Sequence, residues 1–255
     1  MGPLELDHAL NVYPDMPSYF QAWEGGALLG SLSVFTPLPH EAELGAFVQP
    51  PHRRRGIFTA LVREAAGLLA ARGFSSLLFP CDWKSEAGAA VARRWGMELD
   101  HSEYLMFHQG PRPAPPQGLT MREAAEGDLD LLTGLYVSAF GDDPADSEAM
   151  ERKSIRDPGL LSAVFFHEDA FVGAAHVNLQ AETLSIYGVA VCPQLQGRGW
   201  GRALLAALLA ALPQDRKVSL EVDSGNARAL GLYQTSGFVT SHRDDYYRLP
   251  LAKIP

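Results

Sequence analysis

Twice along this chain a strand-like run passes through a turn into a helix, and that duplication constrains the fold more than any other feature. In the later occurrence, Thr183 to Val191 (TLSIYGVAV) is apolar and rich in β-branched and aromatic residues, while Arg202 to Leu212 is an unbroken run of helix formers stopped by Pro213. Gly197, Gly199 and Gly201 lie between them, at a strand-to-helix turn. Backbone N–H groups at such a turn converge at the positive end of the helix dipole, and bare glycines leave a ligand room to approach. The turn is therefore a candidate phosphate site. The earlier occurrence, Val48-Gln-Pro50-Pro-His-Arg53-Arg-Arg-Gly56-Ile-Phe58, lies over Val191-Cys-Pro193-Gln-Leu-Gln196-Gly-Arg-Gly199-Trp-Gly201, and its amphipathic helix ends at Arg72-Gly73. A repeat of domain size means two domains.

Two familiar phosphate loops fail on spacing. A G-x-G-x-x-G fingerprint would need glycine at Arg202 or Leu204, and no glycine is followed by Lys and a hydroxyl residue as a P-loop requires. What stands is Gln196-x-x-Gly199-x-Gly201, preceded by Val191-x-Pro193. Further on, Val218 to Val222 (VSLEV) reads as a short strand, Asp223-Ser-Gly225 as a turn, and Asn226 to Ser236 as a helix closing at Gly237. This second segment has the form N-x-x-A-x-x-L-Y-x-x-x-G-F through Asn226, Ala229, Leu232-Tyr233 and Gly237-Phe238. In order and separation the two segments resemble the acyl-CoA-binding segments of the GCN5-related N-acetyltransferase (GNAT) family, over residues 118 to 255. The resemblance implies an α/β fold of two tandem GNAT-like domains, each a mixed, mostly antiparallel central sheet flanked by helices, with acetyl-CoA as co-substrate. The CoA-binding residues it implies are Val189, Val191, Gln196, Gly197, Arg198, Gly199, Gly201, Arg202, Asn226 and Tyr233.

The run LEVDSGNARALGLYQTSGF is particularly similar to the ribosomal-protein alanine N-acetyltransferases, whose catalytic glutamate and tyrosine match Glu221 and Tyr233. By that resemblance Glu221 is the base, directly or through a water, and Tyr233 is the acid towards the CoA sulfur. A backbone N–H in the Val189 to Val191 stretch, where the strand splays from the next one, would receive the thioester carbonyl. A partly desolvated carboxylate at a strand end has the raised pKa that a base near neutrality needs. Glu182, His176 and Asp223 are alternative bases, and Asn226 reads as a helix cap as well as a CoA contact. The acceptor implied is a primary amine: a peptide N-terminus, a lysine or a small-molecule amine. Asp142-Asp143-Pro-Ala-Asp146 lies near the expected acceptor side and would attract such an amine in its cationic form.

The first copy keeps Arg53 and Gly56 but has Phe58 where the last small residue belongs. Aligning Gly96-Met97 with Gly237-Phe238 sets Pro80 opposite Glu221, Ser85 opposite Asn226 and Ala92 opposite Tyr233. Base, contact residue and acid are all replaced, and too little chain precedes Gly56 for a first strand and its helical region. This N-terminal copy is expected to be truncated and degenerate, a structural or CoA-sensing remnant with a weak CoA-like site at Val48, Arg53, Arg54 and Gly56. Arg53-Arg54-Arg55 reads equally as a solvated cluster. Nucleic acid is not an expected partner, since 30 acidic against 21 basic residues leave a net charge of −9.

The domains expected are 1–108, a Pro/Gly linker at 109–118 (QGPRPAPPQG), and a catalytic domain at 119–255. In the latter, a strand from Leu119, helices over Glu126 to Phe140 and Asp143 to Asp157, and a hairpin of Phe165 to Phe171 with Val172 to Leu179, turning near Glu168-Asp169 or Gly173, complete the order β-α-α-β-β-β-α-β-α-β of the GNAT fold. With 255 residues and 47% hydrophobic content the chain can bury two modest cores. Cys81 and Cys192, one per repeat, argue against a disulfide framework, and Cys192 reads as a small core residue. No apolar run reaches membrane-spanning length, MGPLELDH lacks a signal-peptide pattern, and Leu6 stands where a myristoylation motif needs Ser or Thr. His40-Glu41-Ala-Glu43-Leu44 lacks the second histidine of H-E-x-x-H, so no metal is expected. The expectation is a cytoplasmic enzyme with no membrane partner. Its architecture is similar to that of mycothiol synthase, a tandem GNAT whose C-terminal copy is active. The alternatives are a non-catalytic acyl-CoA-binding regulatory module, and a thioester hydrolase or longer-chain acyltransferase.

Overall fold

The computed structural model describes residues 11–13, 15–38 and 41–255. The expectations placed on MGPLELDH and on His40 lie outside them. The chain forms two compact units, one of the residues up to Glu103 together with Arg243–Pro255, the other Tyr104–His242. In the first unit the elements are β1 (Tyr19–Glu24), β2 (Ala27–Leu38), β3 (Glu41–Val48), α1 (Ile57–Ala70), β4 (Ser76–Asp82), α2 (Glu86–Trp95) and the start of β5 (Glu98–His108). The second holds β6 (Leu119–Glu123), α3 (Leu129–Phe140), α4 (Pro144–Arg156), β7 (Leu160–His167), β8 (Ala170–Asn178), β9 (Leu184–Val191), α5 (Trp200–Ala211), β10 (Val218–Asp223), α6 (Ala227–Thr235) and the start of β11 (Phe238–Pro250). Gln109 to Gly118 carries neither helix nor strand. Beyond His242 the last strand belongs to the first unit, where Asp244–Pro250 pair antiparallel with Ser76–Asp82 of β4. Neither β5 nor β11 has a glycine or a turn signal inside it, so nothing in their letters marks where one unit ends.

The strand order is β1-β2-β3-β4-β11 in the first unit and β5-β10-β9-β8-β7-β6 in the second. The pairs β1–β2, β2–β3, β4–β11, β6–β7, β7–β8 and β8–β9 are antiparallel, while β3 with β4 and β9 with β10 are parallel and bridged by α1 and α5, as a parallel connection requires. The element order of the second unit is the one expected from the sequence. Its hairpin turns at Glu168-Asp169, with φ of 46° and 65°, and the first unit's turns at Gly25-Gly26, with φ of 56° and 83°. Two consecutive positive φ values are what a two-residue hairpin needs. Gly173 lies instead inside β8, where a Cβ would come within 2.2 Å of the Ala190 carbonyl oxygen. The strand expected from Phe165 begins earlier, at Leu160, because the nearly continuous apolar run LLSAVFF already starts there.

Two helix faces close the second unit's core. Leu204, Leu205, Leu208 and Leu209 of α5 are fully buried against Leu184, Ile186, Val218 and Leu220 on one face. Each such leucine contributes about 1.5–3 kcal/mol of burial. Leu132, Leu135 and Tyr136 of α3 cover Val164, Ala174 and Ala190 on the other. In the first unit α1 packs Val62, Ala65 and Leu69 on Leu32, Val34, Leu44 and Leu77, and among the described residues no helix precedes β1. Among the described residues no helix is long and apolar enough to cross a membrane.

Candidate functional site

The glycine-rich turn begins where β9 ends. Pro193–Leu195 form one 3-10 turn, Gln196 is extended, and Gly197 and Gly199 take φ of 76° and 88°. Gly199 is the N-cap of α5 in the left-handed region, where a side chain would be strained, although a Cβ there would meet nothing within 4 Å. Gly201 serves close packing instead, since its Cβ would approach Leu232 of α6 to 3.1 Å. Gln196 ties the turn together: its Nε2 donates to the Val191 carbonyl at 3.1 Å, and its Oε1 accepts from Arg228 at 2.8 Å. Arg202 reaches across to donate to Thr235 Oγ1 at 3.2 Å.

Asn226 opens α6, its Oδ1 accepting from the Ala229 N–H at 3.0 Å, while Asp223 accepts from Gly225 N–H at 2.6 Å. Both are local turn and cap bonds, so Asn226 is a helix N-cap whatever else it contacts. Tyr233 lies one and a half turns into α6, 8% exposed, and burial pushes its hydroxyl above the ordinary tyrosine range. That hydroxyl makes no hydrogen bond among the described residues.

β9 itself is irregular. Its parallel pairing with β10 runs from Leu184 and Val218 to Ile186 and Leu220 and then stops, so the two strands part ahead of the turn. Against β8 the register passes from Ala190 with Ala174 to Tyr187 with His176, leaving Gly188 and Val189 opposite the single residue Ala175. This is a β-bulge, and Gly188 meets it with φ of 60°. One extra residue reverses the alternation: Leu184 and Ile186 belong to the α5-side core, yet beyond the bulge Val189 and Val191 pack there, and Ala190 turns to the α3 side.

The parted strands and the two helix starts enclose a cleft of about 620 Å³. Of the residues expected at the CoA site, Val189, Val191, Gln196, Gly197, Gly199, Gly201, Arg202, Asn226 and Tyr233 line it. Arg198 is exposed on the turn and does not line it. Arg228, Thr235, Ala139 and Phe140 are among the other lining residues and had not been singled out in the sequence. Arg228 sits inside the recognised N-x-x-A segment and adds a second cation, a signal the motif letters contained; Phe140 carries no such signal.

Glu221 differs from its expectation. It is on β10 just past the end of pairing with β9, but it is exposed rather than partly desolvated, and it does not line the cleft. Leu220 and Val222 take the α5-facing positions on either side of it, which leaves Glu221 on the opposite face. Of the alternative bases, Asp223 is held in its turn and Glu182 is exposed. His176 is buried, with Nδ1 3.0 Å from Ser162 Oγ and Nε2 3.2 Å from Glu151 Oε2. Although this is the order of a serine–histidine–acid relay, Ser162, His176 and Glu151 are at most 4% exposed and none lines the cleft, so it offers no nucleophile to a thioester. Asp143 caps α4 by accepting from Ala145 and Asp146 N–H groups, and the Asp142 carboxyl is raised above its usual range by burial, then by Glu151 and Asp146. Cys192 is buried and its thiol is pushed up by that burial, as befits a core residue.

The first unit repeats the scaffold without the equipment. Arg53 Nε donates to the Val48 carbonyl at 3.0 Å, the same five-residue reach as Gln196 to Val191, and Gly56 caps α1 with φ of 82° as Gly199 caps α5. Asp82 accepts from Lys84 N–H, Ser85 accepts from Gly88 N–H, and Gly96 ends α2 with φ of 61°, matching Asp223, Asn226 and Gly237 one for one. The alignment of Pro80 with Glu221 and Ala92 with Tyr233 is thereby reproduced in three dimensions. Arg54 is exposed with φ of 62°, and Arg55 pairs with Glu24 at 3.1 Å. Here the matching position is unbulged: Gly45, three residues before Val48 as Gly188 is before Val191, stays in register with Ser33, and the shift in this pairing lies elsewhere, between Phe35 and Leu38 of β2.

The profile of the Acetyltransferase (GNAT) family matches residues 2–97 and 129–238, one match in each copy. The mycothiol acetyltransferase of Nocardia farcinica is 31% identical over 230 residues, which is 82% of this chain and 74% of that protein. Those of Kocuria rhizophila and Renibacterium salmoninarum are 29% and 26% identical, covering 89% and 84% of this chain and 82% and 69% of theirs. Among solved structures, an N-acetyltransferase from Sphaerobacter thermophilus superposes with a TM-score of 0.72 at 21% identity, over 89% of this chain and 78% of that one. A tandem GNAT protein of the clavulanic acid biosynthesis pathway does so with 0.69 at 18% identity, over 92% and 84%.

Proposed function

Because the chain belongs to the GNAT acetyltransferase family and is an acyltransferase, we propose that its second unit transfers an acetyl group from acetyl-CoA directly to a primary amine. The observation that carries this reading is the convergence, in one cleft, of the bulged end of β9, the glycine turn capping α5, and the Tyr233 side chain. The cleft suits the co-substrate chemically: N–H groups at the start of α5 and the cations Arg202 and Arg228 complement phosphate oxygens, and Val189, Ala190 and Leu232 offer an apolar wall to the pantetheine and acyl parts.

In the mechanism we assign, the backbone at Val189 donates to the thioester oxygen as negative charge grows there. Tyr233, protonated at neutral pH like any tyrosine and with its hydroxyl pushed further up by burial, donates to the departing sulfur. Glu221, beside the parting of β9 and β10, accepts the amine proton directly or through a water, and the bound acceptor would supply the desolvation that the free protein lacks. Asp142 and Asp146 draw the cationic amine towards the cleft. The relatives' names direct attention to mycothiol-related amines as the first acceptors to try, ahead of peptide N-termini and lysines. For the first unit we propose a structural or CoA-sensing role, supported by Ala92, Pro80 and the unbulged β3.

The test is incubation with acetyl-CoA and a panel of amino-sugar, aminothiol, peptide and polyamine acceptors, followed by free-thiol detection and mass analysis of the products. Acceptor-dependent thiol release with an N-acetylated product supports the proposal. Tight acetyl-CoA binding without turnover over the whole panel would instead favour a regulatory acyl-CoA-binding module.

A further inference from the structure

Beneath the bulge of β9 lies a group of buried polar side chains that the mechanism leaves unused. The Tyr136 hydroxyl donates to the Gly188 carbonyl at 2.9 Å. Its ring stacks on His176 with centroids 5.2 Å apart and on Phe140 at 5.7 Å, and His176 stacks in turn on Tyr187 at 5.1 Å. His176 and Glu151 approach to 3.2 Å but out of line for a hydrogen bond, which leaves both atoms buried without one. Burying imperfectly paired polar atoms costs stability, so an apolar filling would give a more stable core. Nor does the hairpin require it, since in the first unit Gly45, the counterpart of Gly188, stays in register with Ser33, and the shift between β2 and β3 falls further along, between Phe35 and Leu38. The polar group accompanies the bulge.

A trans peptide plane fixes what the hydroxyl does. The oxygen of Gly188 and the N–H of Val189 belong to one such plane and point in opposite directions, and the described chain has no cis bond. Drawing the carbonyl towards α3 therefore turns the Val189 N–H towards the α5 side, where Val189 packs and the cleft opens. A donor on an amide oxygen also polarises the amide, which makes its N–H a stronger donor. Gly188 has no freedom to compensate, because a Cβ there would meet His176 Cδ2 at 2.9 Å and the Tyr136 ring at 3.3 Å.

We infer that Tyr136 is a positioning residue for acyl transfer: by holding the Gly188 carbonyl it aims and polarises the Val189 N–H that receives the thioester oxygen, with His176 and Glu151 bracing its ring. This rests on the acyl-transfer reading of the cleft. The test is the infrared carbonyl stretch of acetyl-CoA labelled with carbon-13 at the thioester carbonyl, bound to the native protein, to Tyr136→Phe, and to protein carrying 3-fluorotyrosine at position 136. The native band should lie below that of free acetyl-CoA. Tyr136→Phe, which keeps the ring, should return it more than halfway to the free position while lowering kcat roughly tenfold and leaving KM for acetyl-CoA within about threefold. The fluorinated ring, a stronger donor of the same shape, should move the band further down, a change of opposite sign that a damaged fold cannot produce. A band unchanged across the three proteins overturns the inference while the acyl-transfer reading stands. Failure of the native protein to bind acetyl-CoA removes that reading and the inference together.

Discussion

Tyr233 and Glu221 come from one short stretch of sequence, on α6 and β10, yet their surroundings differ sharply. The tyrosine is nearly buried beside the cleft, and its raised pKa keeps the phenol protonated; its proton is available at every pH below about 10, so any alkaline fall in activity below that point arises elsewhere. The glutamate is exposed. If it is the base, Glu221→Gln should lower kcat about 100-fold with the KM for acetyl-CoA little changed; a loss under threefold would move the role to another group or to solvent. The tyrosine could be located through the resemblance of Leu232-Tyr233 and Gly237-Phe238 to the family's second CoA-binding segment, a helix register that keeps their spacing. The environment of Glu221 was not legible, since it depends on where β9 and β10 stop pairing. Tyr136, Glu151 and His176 were still less so: they come from α3, α4 and β8 and share no motif.

At the scale of elements, the order of strands and helices in the second unit followed from hydrophobic periodicity and caps, and the boundaries moved by only a few residues. The bulge did not follow. Gly45 and Gly188 occupy matching places with the same letter, but only Gly188 adopts a positive φ, because His176 and Tyr136 stand against it and Ser33 alone faces its counterpart. Another element is set by one ion pair: Asp128, buried at the start of α3, accepts from Arg122 at 2.6 and 2.7 Å and from the Ala125 N–H at 2.8 Å. The Arg122 guanidinium holds its carboxyl below the usual range. A depressed carboxyl stabilises the fold above its unfolded pKa of about 3.9 and stops doing so as the pH falls through the lower folded value. Asp128→Asn should therefore cost about 1–3 kcal/mol at neutral pH in urea unfolding, with the difference from native protein shrinking under strong acid. A constant difference across that range would mean that the pair contributes through shape rather than charge.

In the whole molecule, a duplicated scaffold carries the features of the proposed acyl-transfer site in its second unit. The turn, caps and carbonyl tie recur in both units, whereas the bulge three residues before the turn, the tyrosine and the helices preceding the first hairpin occur in the second alone among the described residues. The duplication was readable as a repeat of letters. The passage of β5 and β11 from one unit to the other was not, since an uninterrupted strand has no letter that marks a border. The central claim is that acyl transfer belongs to the second unit and runs through Tyr233. Its most direct test is the rate of acceptor-dependent CoA thiol release from acetyl-CoA by native protein and by Tyr233→Phe, with acetyl-CoA affinity measured on both. The account predicts a fall of about 100-fold in rate with affinity kept within about threefold. Equal rates in the two proteins would contradict it.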